Sequence, residues 1–368
     1  MTQSWTVLEE RLAAKLGERR LPLSGAFELT ARCNLSCRMC YVCEGMDLPA
    51  VIRQEKPMEW WLALARQARD AGMLHLQLTG GEVTLLPWFS SFYREVAQMG
   101  LFLTVNTNAT RIDESLADLF AAYPPLEVSV SLYGLSRETA RHVTGNPLAG
   151  ELALAGLDRL HRRGLPFVVK MPVLRSLLPE LEQAAEVVRA RYGKALDVVD
   201  YIHPRRDGAT TDNVGERLAP EELFRFQMER MNLFRPEGEE LFTVQSVDAD
   251  APDDAAAAGP FPCHAGDRSF FLSWNGRMLP CALMDHPAVP VGPDGFLPAW
   301  SALAPCVRSV PVCEDCLACS HRDVCMVCPA RLQRETGAND QAAPYLCRLA
   351  ALTAGKIGGY LKNEDVCY

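Results

Sequence analysis

The chain has 368 residues, 48% of them hydrophobic and 23% charged. That is ordinary globular composition, which excludes disordered and low-complexity classes, and the length suggests two domains or one barrel with an appendage. A formal net charge of −9 argues against a surface that coats nucleic acid, and no run approaches the roughly 20 apolar residues of a membrane span.

The first twenty residues are charged and amphipathic without an apolar core. They read as an N-terminal helix within 1–24 rather than a secretory signal, so the cytoplasm is the expected compartment. Apolar strand candidates follow at Ala26–Thr30, His75–Thr79, Leu101–Asn106, Leu126–Leu132, Pro166–Met171 and Asp197–His203. Helical patterns lie between them near Met58–Asp70, Trp88–Met99, Asp113–Ala122, Gly150–Arg163 and Pro179–Tyr192. Strands repeating every roughly 25–35 residues with helices between them predict a parallel sheet with right-handed crossovers. The six units, spanning 25–245, predict an α/β fold, a partial (β/α)6 TIM-like barrel whose side gap suits a large substrate. Arg205–Glu216 is polar and reads as a linker, as does the acidic stretch 246–260, which marks the start of a small Cys-rich domain at 261–368. In that domain Phe270, Phe271 and Leu272 followed by Trp274-Asn275-Gly276-Arg277 predict a β-hairpin on an Asn-Gly turn, bringing Cys263 and Cys281 together.

The 14 cysteines fall in two clusters. Cys33, Cys37, Cys40 and Cys43 lie near the start, and none follows until Cys263, Cys281, Cys306, Cys313, Cys316, Cys319, Cys325, Cys328, Cys347 and Cys367. Disulfides are rare in the cytosol, so clustered cysteines point to metal. Cys33-x3-Cys37-x2-Cys40 places three thiolates on one short loop, enough to ligate three irons of a cubane and leave the fourth open. A zinc site or reactive surface thiols are the alternatives from spacing alone.

The context of that loop carries a resemblance. Thr79-Gly80-Gly81-Glu82 ends the second strand, Asn106-Thr107-Asn108 follows the third, and Ser129-Val130-Ser131 leads to Gly134 at the fourth. Together with the Cys loop this resembles the radical S-adenosylmethionine (SAM) enzymes, over roughly Ala26 to His203. The resemblance implies that Cys33, Cys37 and Cys40 hold a [4Fe–4S] cluster whose open iron is chelated by SAM. It implies that Gly80 and Gly81 let the backbone approach the methionine moiety and that Glu82 accepts from its ammonium. Ser131 would contact the ribose, and Thr79 and Asn106 would face the cofactor. Met39 stands where the family carries an aromatic residue near the adenine, and Val83 replaces the proline that usually follows the glutamate. The implied chemistry is reductive cleavage of SAM to methionine and a 5′-deoxyadenosyl radical, which removes a hydrogen atom from substrate. Lys170 is a candidate partner for a SAM or substrate carboxylate, with a lysine snorkelling to solvent as the alternative. His203, Arg205 and Arg206 sit at the expected barrel mouth as substrate-binding candidates, or on a solvated loop.

The C-terminal cysteines resemble the SPASM extension of many radical SAM enzymes, through Gly276-x4-Cys281 and Cys316-x2-Cys319-x5-Cys325, but with two residues rather than three before Cys328. This implies two auxiliary [4Fe–4S] clusters: an outer one on Cys316, Cys319, Cys325 and Cys347, and an inner one on Cys263, Cys281 and Cys328. Cys313 is the expected fourth inner ligand, an open iron the rival, and zinc ribbons the alternative for the whole array. Cys43, Cys306 and Cys367 have no assigned partner. SPASM enzymes act mostly on peptides, so the expected activity is hydrogen abstraction from a ribosomally made peptide, installing a crosslink or other oxidative modification. An external one-electron reductant, flavodoxin or ferredoxin, is implied. The segment before Cys33 is too short for a winged-helix domain, so leader recognition would need a separate leader-binding protein or the Arg/Lys-bearing barrel mouth. Ala282 stands where sulfatase-maturating enzymes carry Asp, which disfavours formylglycine formation. A radical SAM dehydrogenase of a small molecule shares every motif. A non-enzymatic iron–sulfur electron carrier or zinc-binding interaction protein is the remaining class.

Overall fold

The computed structural model describes residues 8, 11–12, 15–16, 19–42, 49–206, 215–230, 234, 260–261 and 263–364, with backbone alone for 357–364. Leu8, Arg11, Leu12, Lys15 and Leu16 are helical. Cys43, Cys367, the stretch 246–259 and most of the expected 205–216 linker lie outside the described residues.

Six parallel strands form in chain order: β1 (Ser24–Glu28), β2 (His75–Thr79), β3 (Phe102–Thr107), β4 (Glu127–Ser131), β5 (Phe167–Pro172) and β6 (Leu196–Val199). The helices that return the chain are α1 (Pro49–Gln54), α2 (Met58–Asp70), α3 (Phe89–Ala97), α4 (Glu114–Ala122), α5 (Arg137–Thr144), α6 (Ala149–Arg162), α7 (Leu181–Tyr192) and α8 (Pro220–Arg230). The hairpin expected near Asn275-Gly276 is present as β7 (Ser269–Leu272) and β8 (Arg277–Leu279). It does not form a sheet of its own. β7 pairs in parallel with β1, and β9 (Val289–Pro290) continues from β8, giving the linear order β6-β5-β4-β3-β2-β1-β7-β8-β9. The C-terminal cysteines are thereby carried on an extension of the barrel sheet itself. Helices α9 (Phe296–Arg308), α10 (Glu314–Leu317), α11 (Pro329–Thr336) and α12 (Pro344–Glu364) complete this part.

The strands are apolar because the helices cover them. Leu76, Leu78, Val105, Val128, Val130 and Val169 are fully buried, and Trp61, Phe92, Tyr93 and Phe120 fill the helix layer. Tyr93 satisfies its hydroxyl by donating to the Tyr123 carbonyl at 2.7 Å. Asp113 caps α4, accepting from Leu116 N at 2.8 Å, and Ser136 caps α5, accepting from Thr139 N at 3.1 Å. The chain before β1 is pinned to the C-terminal part: the Arg20 guanidinium lies 3.5 Å from the Trp300 ring centroid and donates to the Gly266 and Trp300 carbonyls.

Two strand assignments shift. β1 starts and ends two residues earlier than its apolar run suggests, because residues 30–32 leave the strand to bond the turn after β2. β6 stops at Val199, and Tyr201 turns away to pack against the C-terminal cysteines. Helix α5 was not anticipated; its signals were the Ser136 cap and Gly145, which closes the helix at positive φ.

Candidate active site

The strand ends converge on a cavity of about 290 Å³. It is lined by the thiols Cys33, Cys37 and Cys40, by Met39, Thr79, Gly80, Gly81, Asn106 and Ser131, and by Lys170 and His203. One wall thus gathers the Cys loop and most of the residues expected around SAM.

The Cys loop is held from outside by α5, whose terminal carbonyls Thr144 O and Val143 O accept from Ser36 N at 2.8 Å and Arg38 N at 2.9 Å. Inside the loop, Leu35 N donates to Cys33 Sγ at 3.4 Å, and Asn108 Nδ2 lies 3.8 Å from the same sulfur while donating to Asn34 Oδ1 at 3.0 Å. Hydrogen bonds to sulfur are among the features that set an iron–sulfur potential.

The paired glycines have a reason different from the one expected. Gly81 N donates to Thr30 O and Glu82 N to Arg32 O, both at 2.8 Å, zipping the turn after β2 onto the segment leading into the Cys loop. A Cβ on Gly80 would stand 2.4 Å from Thr30 O, and one on Gly81 2.2 Å from Arg32 O; Gly80 also has φ +153. The close approach is first of all to the neighbouring backbone.

Glu82 departs from its expected place. It is fully buried and does not line the cavity. Its Oε1 accepts from Thr84 Oγ1 at 2.6 Å, Thr84 N at 3.1 Å and Thr107 Oγ1 at 2.7 Å, and its Oε2 from Asn108 N at 2.7 Å. Burial pushes its pKa up, and those hydrogen bonds oppose the shift. The carboxylate fastens the 107–108 turn, which in turn touches Cys33.

Asn106 and Ser131 lie where the sheet opens into the cavity. Asn106 Nδ2 donates weakly to Thr79 Oγ1 at 3.5 Å, and its buried Oδ1 has no hydrogen-bond partner among the described residues. An orphaned buried acceptor in a polar wall fits a ligand bearing donors. Cys33, Cys37 and Cys40 line one cavity, and three thiols are a donor set suited to an iron–sulfur cluster. These residues would hold the cluster and SAM.

Lys170 reaches the cavity and also lies 3.9 Å from Asp197 Oδ2 on the paired strand. His203 reaches it too; burial first, then the Arg331, Arg217 and Arg334 charges, push its pKa down to about 3. Arg205 and Arg206 do not reach it, correcting the expectation for both. They line a second cavity of about 200 Å³, walled off by Tyr41 and Val42, which face both spaces. Arg206 is engaged structurally, ion-paired with the buried Glu28 at 3.1 Å and donating to Ala282 O at 3.3 Å. Burial pushes the Tyr41 pKa up, and the Glu28, Cys40 and Cys281 charges add to the rise, placing this ring between the first thiol trio and Cys281.

Sequence reasoning missed Tyr133 and Tyr201. Tyr133 lines the cavity, is hydrogen-bonded to Ser131 and sits among Cys33, Cys37 and Cys40; burial and those sulfurs push its pKa up. Its signal was its place in the Ser131-to-Gly134 motif. Tyr201 lines the cavity on one side and packs with Cys313, Cys316 and Cys325 on the other. Nothing in the local sequence marks it.

The C-terminal thiols separate into two groups. Cys281 stands with Cys263 and Cys328, and burial first, then their charges, push its pKa up to about 11. Cys316 stands with Cys313, Cys347 and Cys325, its pKa pushed up to about 12 by burial, the Cys313 hydrogen bond and these sulfurs. Cys319 belongs with this second group, beside Cys325 and Cys347. Cys313 lies beside the second group rather than the first. It packs in one apolar cluster with Tyr201, Leu332, Cys316 and Cys325, whereas Cys281 and Cys328 pack against the barrel core. The short Cys313-x2-Cys316 spacing through the first turn of α10 keeps it with the outer set. Cys306 lies apart on α9, in hydrogen-bond range of Ala302 O at 3.3 Å.

The parallel half-barrel presents three thiols and a polar wall at its strand ends, a donor set suited to an iron–sulfur cofactor. Residues 27–188 match the radical SAM superfamily, and the protein is a radical SAM enzyme that uses SAM and a [4Fe–4S] cluster. It is 25% identical over 336 residues to the AdoMet-dependent heme synthase of Methanosarcina barkeri, covering 87% of this chain and 95% of that one. It is 24% identical over 306 residues to the sporulation killing factor maturation protein SkfB of Bacillus subtilis, covering 78% and 67%. Streptococcus suis SuiB bound to precursor peptide SuiA has a similar fold, with TM-score 0.69 at 18% identity, covering 93% of this chain and 79% of that one. No helix among the described residues is long and apolar enough to cross a membrane.

Proposed function

We propose that this enzyme abstracts a hydrogen atom from a ribosomally made peptide and installs an oxidative crosslink or related modification. The observation that carries the reading is the single cavity joining Cys33, Cys37 and Cys40 to the Asn106–Ser131 wall and to Tyr201, which reaches the outer thiols. SkfB is a maturation protein and SuiB is seen with a precursor peptide, and both resemble this chain over most of its length. When bound, the cluster and SAM supply a radical able to take hydrogen from an unactivated carbon. The chain's own residues confine that chemistry. Leu35, Val42, Pro172, Val199 and Ile202 give the cavity an apolar lining that keeps water and stray donors from the reacting carbon. His203, held neutral, offers a hydrogen bond rather than an acid. Lys170 supplies positive charge for a substrate carboxylate, steered by Asp197.

The two C-terminal thiol groups would hold auxiliary [4Fe–4S] clusters that accept the second electron of an oxidation. A flavodoxin or ferredoxin would reduce the first cluster, and a separate protein would present the leader peptide. The test is anaerobic incubation with SAM, reductant and the short peptide encoded beside the gene. Mass spectrometry should show the loss of one hydrogen pair per crosslink. Release of 5′-deoxyadenosine beside an unchanged peptide overturns the peptide reading. A second reading, oxidation of a small molecule, is favoured by the heme synthase likeness, which extends over 95% of that enzyme; product analysis with porphyrin substrates tests it.

A further inference from the structure

Helix α5 is the platform on which the Cys loop rests. Thr144 O and Val143 O at its end accept from Ser36 N at 2.8 Å and Arg38 N at 2.9 Å, and Leu35 packs with Ala140, Ala149 and Tyr133 beside Cys33 and Cys37. A helix of 8 residues does not hold itself in place, so the loop is only as fixed as the contacts that fix α5. At the N-terminal end these come from Glu180, whose carboxylate accepts from Leu135 N at 2.6 Å and Ser136 N at 3.3 Å. At the end that carries the Cys loop they come from Glu216.

Glu216 closes the polar stretch that reads as a linker in the sequence, yet it is 6% exposed. Its Oε1 accepts from His142 Nε2, in the last turn of α5, at 2.9 Å and lies 3.7 Å from Arg38 Nη1, inside the Cys loop itself. Its Oε2 accepts from Ser176 N at 3.1 Å and Ser176 Oγ at 2.8 Å, on the turn after β5, and its backbone O accepts from Arg175 N at 2.9 Å. One carboxylate thus joins the loop, its platform and the barrel. The next two residues anchor it in the C-terminal part. Arg217 pairs with Glu335 at 2.9 Å and lies 3.3 Å from the Tyr345 ring centroid, and Leu218 O accepts from Tyr345 Oη at 2.8 Å.

We propose that Glu216 is a positioning residue for SAM binding, holding α5 and Arg38 so that Cys33, Cys37 and Cys40 face the Asn106–Ser131 wall in one arrangement. SAM must engage the cluster and that wall together, so a loop free to shift on the sheet weakens SAM without removing a thiol. Glu216 does not line the cavity, and its effect passes through α5. The role is the same for a peptide and for a small-molecule substrate.

The test compares three variants of the full chain, each as anaerobic holoenzyme. E216A removes the carboxylate. H142A removes its link to α5 and leaves Ser176 its acceptor. E151Q, the comparison, removes an exposed ion pair with Arg137 at the other end of α5. Hydrogen exchange, read by mass spectrometry on peptides covering 34–40, reports the Ser36 and Arg38 amides. Exchange there should be about tenfold faster than wild type in E216A and about threefold faster in H142A, with E151Q unchanged and peptides from β2 to β4 unchanged in all three. At equal iron content, the change that SAM produces in the electron paramagnetic resonance of the reduced first cluster should need about tenfold more SAM in E216A and about threefold more in H142A. Should E216A not fold, H142A decides by itself. Equal acceleration in the β2 to β4 peptides or in E151Q means general loosening and overturns the proposal. Wild-type exchange at 34–40, or a wild-type SAM dependence in a variant whose 34–40 exchange has risen, overturns it as well.

Discussion

Replacing Glu82 by glutamine separates two roles for the Gly-Gly-Glu turn. If Glu82 acts on the SAM ammonium directly, E82Q weakens SAM binding and leaves the cofactor-free protein as stable as before, or more so once a buried charge is gone. The structure supports the other role. All four hydrogen bonds reaching the carboxylate come from protein donors. The two threonine hydroxyls can rotate to suit an amide, but Asn108 N cannot. With the glutamine oxygen kept toward Thr84 and Thr107, its NH2 group faces the Asn108 N–H where Oε2 accepted at 2.7 Å. One charge-assisted bond is lost and a buried donor is left unsatisfied, a cost of about 1–3 kcal/mol. The expected outcome is a melting temperature of the iron-free, SAM-free protein lower by several degrees, about 2–4 °C for each kcal/mol. Thermal unfolding followed by circular dichroism measures it. Unchanged melting together with a large loss of SAM affinity would refute the reasoning and return Glu82 to the cofactor.

Three further outcomes are expected. His75 is 8% exposed, bonded to Ser24 Oγ and Thr104 Oγ1, and burial pushes its pKa down to about 4. The unfolded chain therefore takes up the proton first, so stability is full above the ordinary histidine pKa of about 6.5 and falls toward pH 4 by about 1.4 kcal/mol per pH unit. Urea unfolding between pH 7 and 5 should show this slope on top of that from the likewise depressed His203, and H75Q should lower the total by about 1.4 kcal/mol per pH unit; identical slopes count against the assignment. E28Q leaves Arg206 without its charge partner in a site where Glu28 is 2% exposed, so the folded state should lose about 3 kcal/mol; a loss below about 1 kcal/mol in urea would show the pair to be dispensable. C37S should remove about four irons and abolish SAM cleavage while leaving the C-terminal iron in place, and retention of all iron would displace Cys37 from the ligand set.

The strands from β2 to β5 were legible in the chain because alternate residues such as Leu76 and Leu78, Leu103 and Val105, and Val128 and Val130 are apolar and buried beneath the helices, and the cavity wall was legible because Cys33, Cys37, Cys40, Gly80, Gly81, Asn106 and Ser131 lie at or beside strand ends. Local order also marked the two cysteine clusters as distant in sequence. What it could not carry were contacts between remote segments. Glu82 lies beside Gly81, yet its burial depends on Thr107 and Asn108 from the next strand. Arg205 and Arg206 follow a strand as active-site residues do, but Glu28, Ala282 and Arg334 draw them to the other side of Tyr41. Cys313 was assigned to the inner set from its nearness in sequence, whereas packing around Tyr201 groups it with Cys316. β7 joins β1 across more than two hundred residues, and that pairing helps set the C-terminal thiols beside the barrel mouth. Spacing within one turn is governed by covalent geometry and can be read from the chain; the side a residue faces depends on what comes to rest against it.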